Sequence, residues 1–212
     1  AINYNRTFNE KHAVSGLLLN LISSYQTGNS GSVQASLPTR NHGISGRFTY
    51  GYDNRYLAEL NFGYNGSEKF SEGNRYGFFP SFGVAYRISN ENYFEKFKEK
   101  NIVTDLKLRA TYGLIGNDEI GRTQDRFFYL SNVNLNNATY GSTFGEDFGF
   151  SRPGVSIGRY ANSRITWEKS EQINLGLDFE LFNEVDFIFD AFIQNRTNIL
   201  QQRADISPTL GL

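Results

Sequence analysis

Between Arg47 and Ser89 apolar and polar residues take turns along the chain. Phe48, Tyr50 and Tyr52 alternate with Thr49 and Gly51, and Asp53-Asn54-Arg55 reads as a tight turn. Tyr56, Ala58, Leu60, Phe62 and Tyr64 then alternate with Leu57, Glu59, Asn61, Gly63 and Asn65. A loop rich in Gly, Ser, Asn and charge covers 66–77. After Pro80, Phe82, Val84, Tyr86 and Ile88 alternate with Gly83, Ala85 and Arg87. Successive side chains of a strand point to opposite faces, so each run has one aromatic-rich face and one face of Gly, Asn, Glu and Arg. Two environments produce this pattern: a soluble sheet with one buried face, and a membrane barrel wall, apolar toward lipid and polar toward a wet lumen.

The same reading extends to the whole chain. Ile2, Tyr4, Arg6 and Phe8 alternate with Asn3, Asn5 and Thr7, and Asn9-Glu10-Lys11 is a turn. A second strand covers His12–Ile22, with Ala13, Leu17, Leu19 and Leu21 as its apolar face. Residues 25–41 are a long polar loop. Strands three and four are 43–52 and 56–65, 66–79 is a loop, and Ser81–Ile88 is strand five. Ser89-Asn90-Glu91-Asn92 offers N-caps for one short helix over Glu91–Lys100. Thr104–Leu114 is strand six, and 116–163 is a Gly/Asn/Ser/aromatic-rich loop with room for a hairpin. Ile165–Leu181 and Val185–Gln194 are strands seven and eight around the turn Phe182-Asn183-Glu184, before a polar tail over 195–212.

The connections decide between the two environments. In order, short and long ones alternate, with the helical connector in a short position. Membrane barrels have short periplasmic turns and long extracellular loops, whereas a soluble sandwich has no reason to keep that parity. Tyr52, Tyr56 and Phe182 flank short turns, while Tyr64 and Tyr112 stand near long loops, where interfacial aromatic girdles belong. The expected class is all-β: antiparallel transmembrane β-barrel strands with one short periplasmic helix.

Composition changes the picture in three ways. Phe, Tyr and Trp make up 16% of the 212 residues. Mean hydropathy is −0.48, and no apolar run nears the roughly 18 residues a membrane helix needs. That excludes a helical membrane protein and leaves a barrel open. A net charge of −1 gives no footprint for nucleic acid. Absence of Cys excludes a disulfide frame, a thiol nucleophile and thiolate metal sites.

Four ordered strings carry a family resemblance. They are Asn65-Gly66-Ser67-Glu68-Lys69-Phe70; Phe79-Pro80-Ser81-Phe82-Gly83-Val84-Ala85-Tyr86-Arg87-Ile88-Ser89; Leu106-Lys107-Leu108-Arg109-Ala110-Thr111-Tyr112-Gly113 with Gly116-Asn117; and Ile165-Thr166-Trp167-Glu168-Lys169-Ser170-Glu171-Gln172 with Asn174-Leu175-Gly176-Leu177-Asp178. Together they resemble the SusC/RagA-type TonB-dependent outer-membrane transporters of Bacteroidetes. Asn65 stands for the family's usual Asp and Tyr86 for its usual Trp. The resemblance implies a barrel of about 22 strands with a plug, of which this chain supplies about eight. It also implies that residues 1–212 are an internal piece of the later half of the barrel, with plug, TonB box and N-terminal domain outside it. It further implies TonB-energised import of glycans or peptides with a SusD-like surface lipoprotein, the TonB complex acting through parts outside this chain, and outer-membrane lipid around the wall.

Candidate chemistry is sparse. The 116–163 loop holds Phe127, Phe128, Tyr129, Tyr140, Phe144, Phe148, Phe150, Arg152 and Tyr160. Of these, Tyr129, Tyr140, Phe144, Phe148, Phe150, Arg152 and Tyr160 are the substrate- or partner-contact candidates. Aromatics can stack on sugar faces or pack on a partner or within the loop, and Arg152 can pair with a carboxylate. Asp118 and Glu119 fall short of the six or more oxygens calcium takes. His12 and His42 are too few for zinc. Glu59, Lys107, Arg109, Glu168 and Asp178 read as interstrand ion pairs on the lumen side. Gly113 and Gly116 lack a P-loop context. No nucleophile, base and orienter set occurs, so no enzyme activity, cofactor or metal is expected. A self-contained eight-stranded adhesin or structural barrel, and a soluble carbohydrate-binding sandwich, remain as the competing readings. The small lumen-side residues Gly63, Gly83, Ala85, Gly113 and Gly176 favour a wide barrel over the first, because an eight-stranded barrel fills its interior with side chains.

Overall fold

The computed structural model describes residues 1–28, 36–99, 102–120 and 127–201. Parts of the expected loops, of the polar tail and the end of the expected helix (29–35, 100–101, 121–126 and 202–212) lie outside the described residues. The strands are β1 (Ile2–Phe8), β2 (His12–Tyr25), β3 (Thr39–Tyr52), β4 (Tyr56–Gly66), β5 (Tyr76–Arg87), β6 (Val103–Asn117), β7 (Asn132–Phe144), β8 (Phe150–Arg159), β9 (Glu168–Leu181) and β10 (Val185–Thr197). Eight of them form one sheet in the order β1-β2-β3-β4-β5-β6-β9-β10, and β7-β8 form a separate ribbon. Every pairing is antiparallel.

Residues directly opposite each other in an antiparallel pair share a face. From Gly16, that face passes to Phe48, Leu60, Phe82, Tyr112 and Ile173, and ends at Ile193 on β10. The other face passes from Arg47 to Asn61, Ser81, Gly113 and Gln172. Alternation therefore adds up across β3–β6 and β9 into one apolar and one polar surface, while β10 also sets Ile188 and Phe192 on the polar side. The apolar surface is bare: Phe82 is 49% and Leu175 61% exposed. A soluble sheet would bury that face, whereas a barrel wall gives it to lipid.

Three short turns close at one end of the sheet. Lys11 N donates to Phe8 O at 3.1 Å, Arg55 N to Tyr52 O at 2.9 Å, and Glu184 N to Leu181 O at 3.1 Å. Each has two central residues with positive φ: Asn9 and Glu10, Asp53 and Asn54, Phe182 and Asn183. This is the type I′ geometry, whose twist matches that of the flanking strands. The connections at the other end are long, as the parity argument requires.

The structure corrects four sequence expectations. β2 does not present Ala13, Leu17, Leu19 and Leu21 to the apolar face, because Leu17 pairs with Arg47 and Leu18 with Gly46. Val14, Leu18 and Ile22 hold the apolar side, and β2 is apolar on both. β5 starts at Tyr76 rather than Ser81, running through Pro80. Proline is tolerated there because pairing with β6 begins only at Ser81. β9 starts at Glu168 rather than Ile165. The helical connector consists of 3-10 turns at Ile88–Asn90 and Asn92–Phe94 followed by α1 (Glu95–Glu99).

Candidate functional site

At the long-loop end three segments meet in a small core. Phe70, Ile120, Ile165 and Trp167 are buried there, with Phe79 and Phe128 packed against them. The Trp167 ring centroid lies 5.2 Å from that of Phe70 and 5.1 Å from that of Phe79. Trp167 Nε1 donates to Arg75 O at 3.3 Å. Ser67 Oγ donates to Asp118 Oδ2 at 2.6 Å, and Lys69 Nζ to Asp118 O at 2.9 Å. Ser71 Oγ and Asn74 Nδ2 both donate to Ser163 O, at 2.8 and 3.0 Å. The β4–β5, β6–β7 and β8–β9 connections are thereby tied into one platform.

Gly116 and Gly77 make room for it. A Cβ on Gly116 would stand 1.9 Å from Phe79 Cζ, and one on Gly77 2.3 Å from the same atom. The Phe79 ring thus lies flat over two backbones, which only glycine permits.

The β7–β8 ribbon is footed on this platform. Phe128 joins the small core, and Arg159 holds its guanidinium 4.0 Å from the Phe128 ring centroid. Arg159 Nε donates to Leu130 O at 3.2 Å, and Asn162 N to Tyr129 O at 2.9 Å. Further out, Phe144 pairs with Phe150 next to the tip. Arg152 places its guanidinium 4.8 Å from the Phe150 ring centroid, a cation–π contact. Phe148, in the tip turn with φ 51, is 70% exposed.

Of the seven contact candidates, the structure brings Phe144, Phe148, Phe150 and Arg152 together at the tip. Tyr140 stands exposed partway along β7, Tyr129 is half-buried at the foot, and Tyr160 is exposed just past β8. Phe128 is taken up by the platform. Sequence reading missed the platform as an object, although its strings include Ser67, Phe70, Phe79, Gly116 and Trp167.

The polar face of the wall carries charge in pairs. Arg109 Nη2 lies 2.8 Å from Asp178 and 3.3 Å from Asp190, and Lys107 lies 3.9 Å from Asp178. Arg47 meets Glu59 at 2.7 Å, and Glu168 meets Arg196 at 3.9 Å. All five lumen-side ionisable residues singled out from the sequence therefore take part in interstrand pairs. The single-contact pairs are part-exposed and contribute about 1 kcal/mol or less each, whereas Arg109 contacts both Asp178 oxygens, the stronger bidentate arrangement. Asp118 is held by Ser67 and Lys69. His12 contacts Tyr50 at one end of the wall, whereas His42 contacts Tyr76 and Asn20 at the other. Among the described residues no group of three or more His, Asp or Glu is placed to hold a metal.

Known proteins resemble the chain in sequence and in overall fold. TonB-dependent receptor SusC of Bacteroides thetaiotaomicron is 37% identical over 153 residues, 71% of this chain and 14% of that protein. TonB-dependent receptor P3 of Formosa agariphila is 31% identical over 161 residues, 76% of this chain and 15% of that protein. The RagAB peptide importer in its closed-closed state superposes with a TM-score of 0.69 at 25% identity, over 92% of this chain and 22% of that chain. A further structure of the RagAB peptide transporter gives 0.72 over 99% of this chain and 24% of that one, at 24% identity. No family model matches the chain. The chain spans about 14–15% of the length of these curated relatives. With these likenesses added to an antiparallel wall of one bare apolar and one paired, polar face, the chain belongs to the SusC/RagA type of TonB-dependent receptors and forms a stretch of their outer-membrane β-barrel.

Proposed function

We propose that this chain is a wall segment of an outer-membrane importer of large nutrients, glycans or peptides, energised by TonB and working with a SusD-like surface lipoprotein. The observation that carries the reading is the footed arm. A free two-stranded ribbon is marginal in water, yet this one is fixed at its base to a packed platform and presents Phe144, Phe148, Phe150 and Arg152 outward. Such a tip suits a partner protein or the apolar face of a sugar ring, and Arg152 suits a carboxylate. Tyr129, Tyr140 and Tyr160 extend the same contact surface along the arm. The polar wall below lines the passage, and the TonB complex acts through parts of the protein outside this chain. The relatives are receptors, and nothing in the proposal calls for a chemical step.

The competing self-contained barrel needs β1 to pair with β10. Among the described residues the sheet instead ends in β1 on one side and β10 on the other.

The test replaces 132–159 with a short Gly-Ser linker in the full-length protein. The barrel should still assemble in the outer membrane, while recovery of the lipoprotein with it and nutrient uptake both fall. Unchanged recovery and uptake would sink the role given to the arm. A native polypeptide near 24.1 kDa in mass would sink the importer reading altogether and favour the adhesin.

A further inference from the structure

The β5–β6 connector stands where the parity of the wall calls for a short turn, and its contacts fix it to the rim of the wall. Ser89 Oγ donates to the Asp105 carboxylate, tying the start of the connector to β6. Glu91 is then held by the wall: Tyr56 OH and Tyr86 OH donate to Oε1 at 3.1 and 3.2 Å, and Arg55 Nη1 to Oε2 at 3.1 Å. Tyr56 and Tyr86 are directly paired on the apolar face, with rings stacked at 5.0 Å. The Glu91 carboxylate therefore sits at the tips of outward-facing tyrosines, on the outer rim of the wall rather than in its lumen. Its side chain is only 14% exposed, and both oxygens are partnered, as a charge at the edge of a low-dielectric region requires.

The rest of the connector continues that surface. Tyr93 OH lies 3.3 Å from Tyr86 OH. Phe94 turns inward and is 7% exposed, whereas Tyr93 and Phe97 on either side of it are 62% and 56% exposed. Glu95 and Lys96 are both exposed between them. An exposed aromatic pair that meets the lipid face through Tyr86 at its short-turn end suits the boundary between headgroups and acyl chains, with Lys96 free to reach phosphate and Glu95 turned to water. There the rings bury their apolar bodies, and an ammonium reaches phosphate.

We propose that this connector is a membrane foot. Tyr93 and Phe97 seat among the glycerophospholipids of the periplasmic leaflet, with Lys96 at phosphate level and Glu91 locking the segment to the rim. The occupant is lipid because Tyr93 meets Tyr86 of the apolar face and Phe97 packs on Phe94 beside it while staying 56% exposed. The inference rests on the membrane-spanning reading of the wall, so its test carries a control for that reading.

Single nitroxides would be placed on the full-length protein, in a cysteine-free background, in vesicles of phosphatidylethanolamine and phosphatidylglycerol. Position 97 tests the foot, 93 checks it, 84 reports the lipid face and 184 reports a wet turn. The measurement is collision with oxygen against collision with a water-soluble nickel chelate. A nickel accessibility at 97 and 93 several-fold below that at 184, with oxygen accessibility rising toward that at 84, supports the foot. Values at 97 and 93 equal to those at 184, with 84 still lipid-like, overturn the foot alone and place the connector in the periplasm. A water-like value at 84 overturns the spanning reading and the foot with it.

Discussion

Trp167→Ala tests whether the platform is one cooperative object. Trp167 is 6% exposed and Phe70 is fully buried, and the indole is the ring that both Phe70 and Phe79 contact. Truncating a buried Phe or Trp to Ala costs about 3–5 kcal/mol, from lost transfer energy and the residual cavity. The hydrogen bond to Arg75 O adds little, because that carbonyl still accepts from Ser67 N at 3.0 Å. The wall strands keep their ladders, so the loss stays local. At about 1.4 kcal/mol per tenfold, local opening should become roughly a hundred- to few-thousand-fold more frequent. The assay is amide hydrogen exchange on the full-length protein in detergent, followed in peptides over 66–75, 127–132 and 163–167. Exchange should accelerate in all three together and stay unchanged in β4 and β9, and Trp167→Phe should show a smaller effect because it keeps a ring. Acceleration confined to 163–167, or spread equally through the wall, would refute the idea of a platform that foots the arm.

Two further outcomes follow from the same geometry. Gly116→Ala puts a methyl 1.9 Å from Phe79 Cζ. Displacing that ring should cost about 1–3 kcal/mol, seen as accelerated exchange in 66–75, whereas Gly73→Ala, with open space around it, should leave that peptide unchanged. A double-mutant cycle of Arg109→Leu and Asp178→Asn should give a coupling of about 0.5–3 kcal/mol, because the guanidinium contacts both carboxylate oxygens. That coupling should shrink as salt rises, and a salt-independent value would show that packing rather than charge links the two.

The strands were legible because period two survives almost everywhere on the wall, and because the Asp53-Asn54 and Asn183 positions carry turn chemistry. Where sequence reading failed, the local signal was ambiguous. Leu17-Leu18-Leu19 gives β2 an apolar residue on both faces, so parity within the strand cannot choose. The choice is made by β3, whose Arg47 takes Leu17 and whose Gly46 takes Leu18. β5 hid its first turn of pairing behind Gly77 and Pro80, residues that normally end strands. The β7–β8 ribbon hid behind the Asn-rich run from Asn132 to Asn137 and three register shifts, which blur any alternation.

The platform was invisible for a different reason. Its members are spread from Ser67 to Trp167, and no periodicity links residues that far apart. The strings that carried the family resemblance turn out to be its parts. Gly116 is demanded by the Phe79 ring, Trp167 by Phe70, and Ser67 by Asp118. The resemblance therefore speaks for the wall and for the footing of the arm. It stops at Asn117 and resumes at Ile165, and the exposed tip at Phe144, Phe148, Phe150 and Arg152 lies between those limits. Whatever the tip meets is chosen by residues the strings do not contain. The wall is therefore legible strand by strand, whereas its footing becomes visible only when Phe70, Phe79 and Trp167 are brought together in space.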